Sequence, residues 1–457
     1  MNFRRITSIL NIVVFLWALI LVSVGCSGRD GTYFEDDMFK YVVYSDHTEL
    51  LSYVGNGGKV EIPKSLKGKP VTALGEGLFK NRTNVSEVII PTSVNTIKTE
   101  AFSHCTALSA VDIPEGVNLM EAGAFSYCTG LKFVSLPSTL KVLPDNTFYQ
   151  CLSLDSVTFK EGITEIKKNA FYGCSSLTKV EFPESLTLIG DSAFIKCTAL
   201  SSVKFSNGVS TIGNSAFEKC EALVEFEAQS ELKEIGDSAF AGCTKLKKIM
   251  LNEGLESIGV NAFSESIITE IVIPETVIDL KGCLAYCYEL TLAKLPSNIN
   301  SVPDGIFNGC KNLESIEIPE TVTVIGKRAF NGCTKLSSPI MPQGLISIDE
   351  SAFADCINMQ TLTLGNSVTS IGKSAFSRCI KLNKVDLGQS IKSIGENAFE
   401  NCWKINYLTL PASVESVGDD AFKSCTYLHT ITVKKEADSF DTSKWGQGFR
   451  VSYKPDK

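Results

Sequence analysis

The sequence predicts an elongated α/β solenoid: about sixteen coils of 23 residues, stacked into a curved rod with a parallel β-sheet along one face. Phenylalanine recurs every 23 residues from Phe79 to Phe263 and again from Phe307 to Phe422, with Leu284 in its place between the two runs. Each repeat also holds a short segment that alternates apolar and polar residues, the period of a half-buried strand. A coil this short cannot bury its own apolar side chains, so neighbouring coils must share one core.

Length and composition exclude several classes of protein. A chain of 457 residues is too long for one ordinary compact core, and an apolar fraction of 44% is typical of a folded protein. The net charge of −8 argues against a nucleic-acid-binding protein, which would normally carry a basic stripe. The three histidines, His47, His104 and His429, are far apart in sequence, so they offer little for acid–base or metal chemistry.

Residues 1–26 resemble a lipoprotein-type signal peptide. Arg4 and Arg5 give a positive start, and an almost wholly apolar run precedes Cys26. The residues before Cys26 are similar to a bacterial lipobox, in which the cysteine becomes the lipidated first residue, although Ser23 stands where leucine or valine is usual. We therefore expect lipidation at Cys26 and a flexible tether over residues 27–32. A plain signal peptide and an uncleaved membrane anchor are the alternatives.

Within a coil, three elements follow in a fixed order. Residues 375–382, Ala-Phe-x-x-Cys-x-x-Leu, have the spacing of a short helical turn. Residues 385–387 are the strand, and in many repeats a proline follows the strand and ends its ladder of hydrogen bonds. The Ile-x-x-Ile-Gly step over residues 391–395 predicts a second extended edge and a turn.

These repeats resemble the leucine-rich repeats of the bacterial 23-residue class, the BspA-like family. The family pattern, approximately Ala-Phe-x-x-Cys-x-x-Leu-x-x-Val-x-Leu-Pro-x-x-Val-x-x-Ile-Gly, recurs almost letter for letter over residues 351–395, and the resemblance covers about residues 70–433. The resemblance implies a right-handed leucine-rich-repeat array. It also implies an extracellular or envelope-attached interaction protein of the surface lipoprotein type rather than an enzyme.

Terminal coils need caps, because the core would otherwise end in water. We assign residues 33–70, which hold three predicted strands and a turn signal, to a β-rich N-terminal cap. The leucine-rich-repeat solenoid follows over residues 71–433. Residues 434–457 depart from the repeat and form a C-terminal cap, in which we expect Trp445 to cover the last phenylalanine of the row.

The middle of the array is irregular. Two residues are missing between Ser264 and Leu284 relative to the repeat, which places Cys283 in the alanine position. Pro339 occupies a strand position and is a second local defect. A local kink in the rod is one interpretation, and a hinge or recognition notch is the other.

Fourteen of the sixteen cysteines occupy one position of the repeat, from Cys105 to Cys425. Stacked positions lie about 5 Å apart, which is within the Cα range of a disulfide, but side chains in register point in parallel. A ladder of buried free thiols is the favoured interpretation, with disulfides between neighbours and a metal site as alternatives. The chain has no glycine-rich phosphate loop, no HExxH and no Gly-x-Ser-x-Gly. We therefore predict no enzymatic activity, no cofactor and no metal.

The strand residues that point away from the core form the candidate binding surface. Glu181 and Lys204 differ in sign on adjacent strands, which indicates compensating surface pairs. Phe133 and Tyr407 are the aromatic residues at these positions, and exposed aromatics are typical interface anchors. The candidate surface comprises Phe133, Lys179, Glu181, Lys204, Thr361, Thr363, Lys384, Asp386, Tyr407, Thr409, Thr430 and Thr432.

We predict a non-enzymatic cell-envelope protein that binds a protein or another surface macromolecule through the solenoid face, as in adhesion. A structural or assembly scaffold of the bacterial envelope is the alternative. The lipid anchor would be its only attachment to a membrane, and the predicted location is the outer membrane, exposed at the surface. The sequence predicts neither the identity of the partner nor the oligomeric state.

Overall fold

The computed structural model describes residues 31–437 and 439–455, so the predicted signal peptide and Cys26 lie outside the described residues. The described chain is a β-solenoid of about 18 turns, which confirms the predicted solenoid. The number of turns is slightly larger than the predicted number of about sixteen coils. Its one helical element is a 3₁₀ turn, Thr442–Lys444. In this part of the chain no helix is both long and apolar enough to cross a membrane.

The first sheet consists mainly of three-residue strands, one to a coil, that run parallel to each other. Paired strands are in register from coil to coil, as in Phe133–Ser135 beside Ser156–Thr158. The ladder has gaps, since Ser202–Lys204 and Glu225–Glu227, for example, are neighbours without strand pairing. Its strands are Gly58–Glu61, Val85–Ile89, Ala110–Asp112, Phe133–Ser135, Ser156–Thr158, Lys179–Glu181, Ser202–Lys204, Glu225–Glu227, Lys248–Met250, Glu270–Val272, Leu292–Lys294, Thr361–Thr363, Lys384–Asp386, Tyr407–Leu410, Thr430–Val433 and Arg450–Tyr453. Residues 315–317 and 338–340, which occupy the strand position in two middle coils, form no strand.

A second sheet forms at the predicted second extended edge, so the expectation of a single sheet was incomplete. Most of its strands have two residues, and they too are parallel and in register. Its strands are Thr48–Tyr53, Lys69–Leu74, Thr96–Ile97, Leu119–Met120, Val142–Leu143, Glu165–Ile166, Leu188–Ile189, Thr211–Ile212, Glu234–Ile235, Ser257–Ile258, Asp279–Leu280, Ser301–Val302, Val324–Ile325, Ser347–Ile348, Ser370–Ile371, Ser393–Ile394 and Ser416–Val417. Unlike the first sheet, it keeps a strand in every middle coil.

The predicted helical turn is wrong: the Ala-Phe-x-x-Cys segment is a series of tight turns. Asn169 and Gly173 have φ angles of 57° and 70°, in the left-handed region, which interrupts a right-handed helix. The amide of Phe171 donates to the carbonyl of Ala193 in the next coil at 2.7 Å, instead of to its own chain four residues back. The turn segment therefore forms a third ladder of hydrogen bonds between coils.

The core is a set of identical side chains stacked along the rod. The rings of Phe102 and Phe125 are 4.8 Å apart and 4° from parallel, and those of Phe353 and Phe376 are 5.4 Å apart and 2° from parallel. These rings are fully buried. Leu284 interrupts the phenylalanine row as predicted and is also fully buried.

Both ends of the core are covered. Thr32–Glu35, Phe39–Val43 and Thr48–Tyr53 form an antiparallel meander, and Thr48–Tyr53 then pairs in parallel with Lys69–Leu74. The small strand Ser65–Leu66 pairs with the latter. The segment 33–70 thus caps the core and also starts both sheets, and its first strand begins within the segment predicted as a tether.

At the C-terminal end, Trp445 is buried with its ring 6.2 Å from that of Phe422, which confirms the predicted cover. The strand Arg450–Tyr453 closes the first sheet by pairing with Thr430–Val433.

Candidate functional site

The first sheet positions its outward side chains by simple alternation. In the strand Lys179–Glu181, the central Val180 is 2% exposed and packs in the core, while both neighbours are exposed. The same pattern recurs in Lys248–Met250. Because a residue at each end of the strand is free of the core, two columns of side chains follow the rod on this surface.

The register of the sheet confirms that the candidate residues belong to these columns. Lys179 lies beside Ser202 on the adjacent strand, and Glu181 lies beside Lys204. Further along, two pairs of neighbouring strands align candidate residues directly: Thr361 with Lys384, Thr363 with Asp386, Tyr407 with Thr430, and Thr409 with Thr432.

The charged pair behaves differently from the expectation. Glu181 and Lys204 face each other across adjacent strands, yet they form no ion pair among the described residues. Both side chains are exposed. Exposed pairs of this kind gain little from association in water, so both charges stay available to a partner.

The structure divides the candidate residues into two patches. Four successive strands of the first sheet bring together the eight residues from Thr361 to Thr432, which we call the C-terminal patch. Phe133, Lys179, Glu181 and Lys204 lie in the N-terminal half. Twelve coils separate Phe133 from Tyr407, roughly 58 Å at the usual spacing of strands.

The two aromatic candidates, Tyr407 and Phe133, are both exposed. Tyr407 is 67% exposed and Phe133 is 53% exposed. Thr430 and Thr432 are half-buried rather than exposed, because the closing strand Arg450–Tyr453 lies beside them. Tyr407 is therefore the most accessible large side chain of the C-terminal patch.

Sequence reasoning missed an apolar group in the middle of the first sheet. Val272, Leu292 and Ile340 are 60%, 55% and 79% exposed at the outward positions. The candidate surface predicted from the sequence has no residue between Lys204 and Thr361, so it omits this stretch. These three residues can be identified from the sequence if the repeat alignment is continued past the two missing residues.

The cysteine row offers no reactive site. The fifteen cysteines from Cys105 to Cys425, with Cys283 among them, are free and buried, which confirms the thiol ladder. The carbonyl of Phe148 accepts the amide of Cys151 and the thiol of Cys174, both at 3.2 Å. Burial raises the pKa of the Cys243 thiol to about 12 and that of Cys287 to about 11. Thiols held neutral in this way are poor nucleophiles and poor ligands.

Ser266 continues the cysteine row through the irregular coil. Its hydroxyl lies 3.3 Å from the Cys287 thiol. Across the described residues, no group of three or more histidine, cysteine, aspartate or glutamate side chains is placed to hold a metal ion.

A column of aromatic rings lies on the turn segment of the N-terminal half. His104 stacks on Tyr127 at 4.4 Å, and Tyr149 stacks on Tyr172 at 4.7 Å. Lys196 lies over the ring of Tyr172 at 5.5 Å. These rings cover one another's faces, so the column lacks the open ring face that stacking on a planar ligand requires.

The fold and its rows define a leucine-rich-repeat solenoid, a class of protein-interaction repeat proteins that is typically non-enzymatic. The family described as the BspA type leucine rich repeat region matches residues 58–178, 164–284, 280–376 and 347–445. The chain belongs to this family.

A solved structure agrees with the fold. A leucine-rich repeat protein from Bacteroides ovatus is similar over 94% of this chain and 100% of its own, with 25% identity and a TM-score of 0.64. A leucine rich cell surface protein from Faecalibacterium prausnitzii covers 91% of this chain and 98% of its own, with 24% identity and a TM-score of 0.43. No curated protein matches the chain.

Proposed function

We propose that this protein is a lipid-anchored protein of the bacterial envelope that binds a protein or another surface macromolecule in adhesion. The observation that carries the proposal is the pair of outward columns on the first sheet. In strands such as Lys179–Glu181 the central residue alone enters the core, so both outward side chains are free to vary with the partner. Solenoids use repeated surfaces of this kind for binding.

The C-terminal patch lies far from the end of the rod that would be attached to the membrane, so a partner could reach it. The predicted tether precedes the N-terminal cap in the sequence, whereas Tyr407 lies in one of the last coils. At the usual strand spacing, this places Tyr407 roughly 75 Å from the tethered end. A partner on an opposing surface would therefore meet the C-terminal patch first, and Tyr407 would be its aromatic anchor.

Adhesion is tested by saturable binding of the purified protein to intact epithelial cells. We expect Tyr407→Ser to weaken binding at least tenfold, while Leu119→Ser, which removes an exposed leucine from the second sheet, leaves it unchanged. Binding to bacterial envelopes without binding to epithelial cells would favour the scaffold role instead.

The anchor is tested by mass spectrometry of the membrane fraction. We expect the mature N-terminus to be an acylated Cys26, and we expect Cys26→Ala to release the protein from the membrane. A mature N-terminus at another residue would overturn the lipid anchor and leave the binding surface unaffected.

A further inference from the structure

The apolar group in the middle of the first sheet borders a groove. Val272, Leu292 and Ile340 line it on its outer side, and Ile316 lies at its base, 7% exposed. Its volume of 690 Å³ falls in the range of sites that hold a small ligand or a few residues of a peptide. A second hollow of 640 Å³ continues from Ile340 along the C-terminal patch.

Backbone groups in this region lack their usual partners. No amide from residue 314 to 318 donates to a backbone carbonyl, and no carbonyl in that range accepts a backbone amide, among the described residues. Pro339 has no amide hydrogen in the strand position of the next coil, so the ladder cannot close there. These unpaired groups are donors and acceptors beside an open groove, where a polar ligand could satisfy them.

The side chains around the groove depart from the rest of the surface. At the last position of the strand, the flanking coils carry polar or charged residues such as Glu227 and Thr363. The middle coils carry Val272 and Ile340 there, on either side of Lys294 and Glu317. Exposed apolar side chains clustered in this way are typical of binding sites.

The charges at the groove favour a cationic partner. Glu270, Glu317 and Glu320 line it with a single lysine, Lys294. Neither Glu270 nor Glu317 forms an ion pair in the part of the chain that the structure describes. A second copy of this chain would bring the same acidic groove against itself, which like-charge repulsion opposes.

We infer that this groove binds an extended peptide segment of a partner protein, seating an apolar side chain between Leu292 and Ile340 and a lysine or arginine beside Glu317. The bound peptide lies over residues 314–318. This inference rests on the proposed function, since it names the kind of partner segment that the binding surface takes.

The test compares two fluorescein-labelled peptides, acetyl-Lys-Val-Leu-Val-Lys-amide and acetyl-Glu-Val-Leu-Val-Glu-amide, by fluorescence anisotropy with the purified protein. We expect the basic peptide to bind at least tenfold more tightly. Ile340→Thr and Leu292→Ser each install the residue that the next coil carries at the same position, so the fold has a precedent for both. Each should weaken binding at least tenfold, and the basic peptide should slow hydrogen exchange at residues 314–318.

The matched control is Leu119→Ser, which removes a leucine that is 49% exposed on the second sheet and should leave binding unchanged. Equal affinity for the two peptides, or unchanged affinity in both groove variants, would overturn the inference. So would sedimentation showing a dimer that Ile340→Thr converts to a monomer, because the occupant would then be a second copy.

The peptide assay uses no cells, so the two proposals fail separately. Cell binding without peptide binding overturns the groove alone. Peptide binding without cell binding overturns adhesion and keeps the groove as a peptide site.

Discussion

The flanking arrays (residues 96–263 and 346–433) and the middle segment (residues 264–345) share one repeat but differ in how their coils are joined. In the flanking arrays each coil has a strand in both sheets and a hydrogen-bonded turn segment. In the middle segment two residues are missing, Leu284 replaces a phenylalanine, and residues 315–317 and 338–340 form no strand. The second sheet is interrupted between Asp279–Leu280 and Ser301–Val302, where the first sheet still pairs Glu270–Val272 with Leu292–Lys294. It then continues through Ser301–Val302, Val324–Ile325 and Ser347–Ile348, where the first sheet is open.

This difference shows which ladders hold the rod together. The turn ladder also crosses the middle segment, where Phe307 donates to the carbonyl of Ala329 at 2.9 Å. From Ser301–Val302 to Ser347–Ile348, two ladders and a continuous apolar core are therefore sufficient to keep the coils stacked. The first sheet can open locally because its loss leaves the core residues buried, and the open stretch gains exposed apolar and polar groups that a partner can use.

The largest expected effect concerns the phenylalanine row. Phe376→Ala removes a fully buried ring from a parallel stack in a flanking array and should cost ~3–5 kcal/mol. Leu284→Ala, at the same repeat position in the middle segment, should cost less because a smaller side chain is lost. Urea unfolding followed by circular dichroism measures both.

The control for the phenylalanine row is Asp386→Ala, an exposed outward position that should change stability by less than ~0.5 kcal/mol. Equal costs for Phe376→Ala and Asp386→Ala would contradict the inward and outward assignments along the rod.

The next largest effect is a difference in native-state hydrogen exchange between the middle segment and the flanking arrays. Amides from residue 315 to 318 have no backbone acceptor, whereas those of Lys179–Glu181 lie in a paired strand. We expect the former to exchange at least ~100-fold faster in the free protein, because no opening step is required. Comparable protection in both segments would show that the first sheet is closed in the middle.

A smaller effect concerns the cysteine row at alkaline pH. Burial raises the pKa of the Cys287 thiol from 9.0 to about 11. The folded state thus keeps this proton to higher pH than the unfolded state does. Stability from the neutral thiol is complete below pH 9 and is lost as the pH rises through 11, by about 2 kcal/mol at pH 10.5.

Urea unfolding at pH 8 and pH 10.5 measures this loss. In Cys287→Ser, which keeps a donor but removes one titrating group, the fall in stability between the two pH values should be smaller by that amount. An identical fall in both proteins would show that the Cys287 thiol is not buried as described.

Much of the fold could be predicted because the repeat is strict. The 23-residue spacing of the Phe row placed the strands, the core and the outward columns, and it identified Leu284 as the interruption. The helical turn was wrong because Ala-Phe-x-x-Cys spacing also arises from successive turns. The left-handed residues Asn169 and Gly173 were the available signal, since asparagine and glycine tolerate that conformation.

The binding surface was less predictable than the core. Spacing alone identifies which residues point outward, so Tyr407 and Thr409 were assigned correctly to one surface. Spacing could not show that residues 315–317 leave the sheet, because this depends on how coils with missing residues pack against regular ones. The groove beside Leu292 follows from that packing and was not foreseen.

The central claim is that coils stack in register along a rod, with like side chains above like side chains. Small-angle X-ray scattering of the purified protein tests it most directly. About 18 turns at ~4.8 Å each give a rod of roughly 85 Å, with a radius of gyration of roughly 27 Å and a skewed distance distribution. A symmetric distribution with a radius near ~22 Å, the value for a compact chain of this length, would contradict the account.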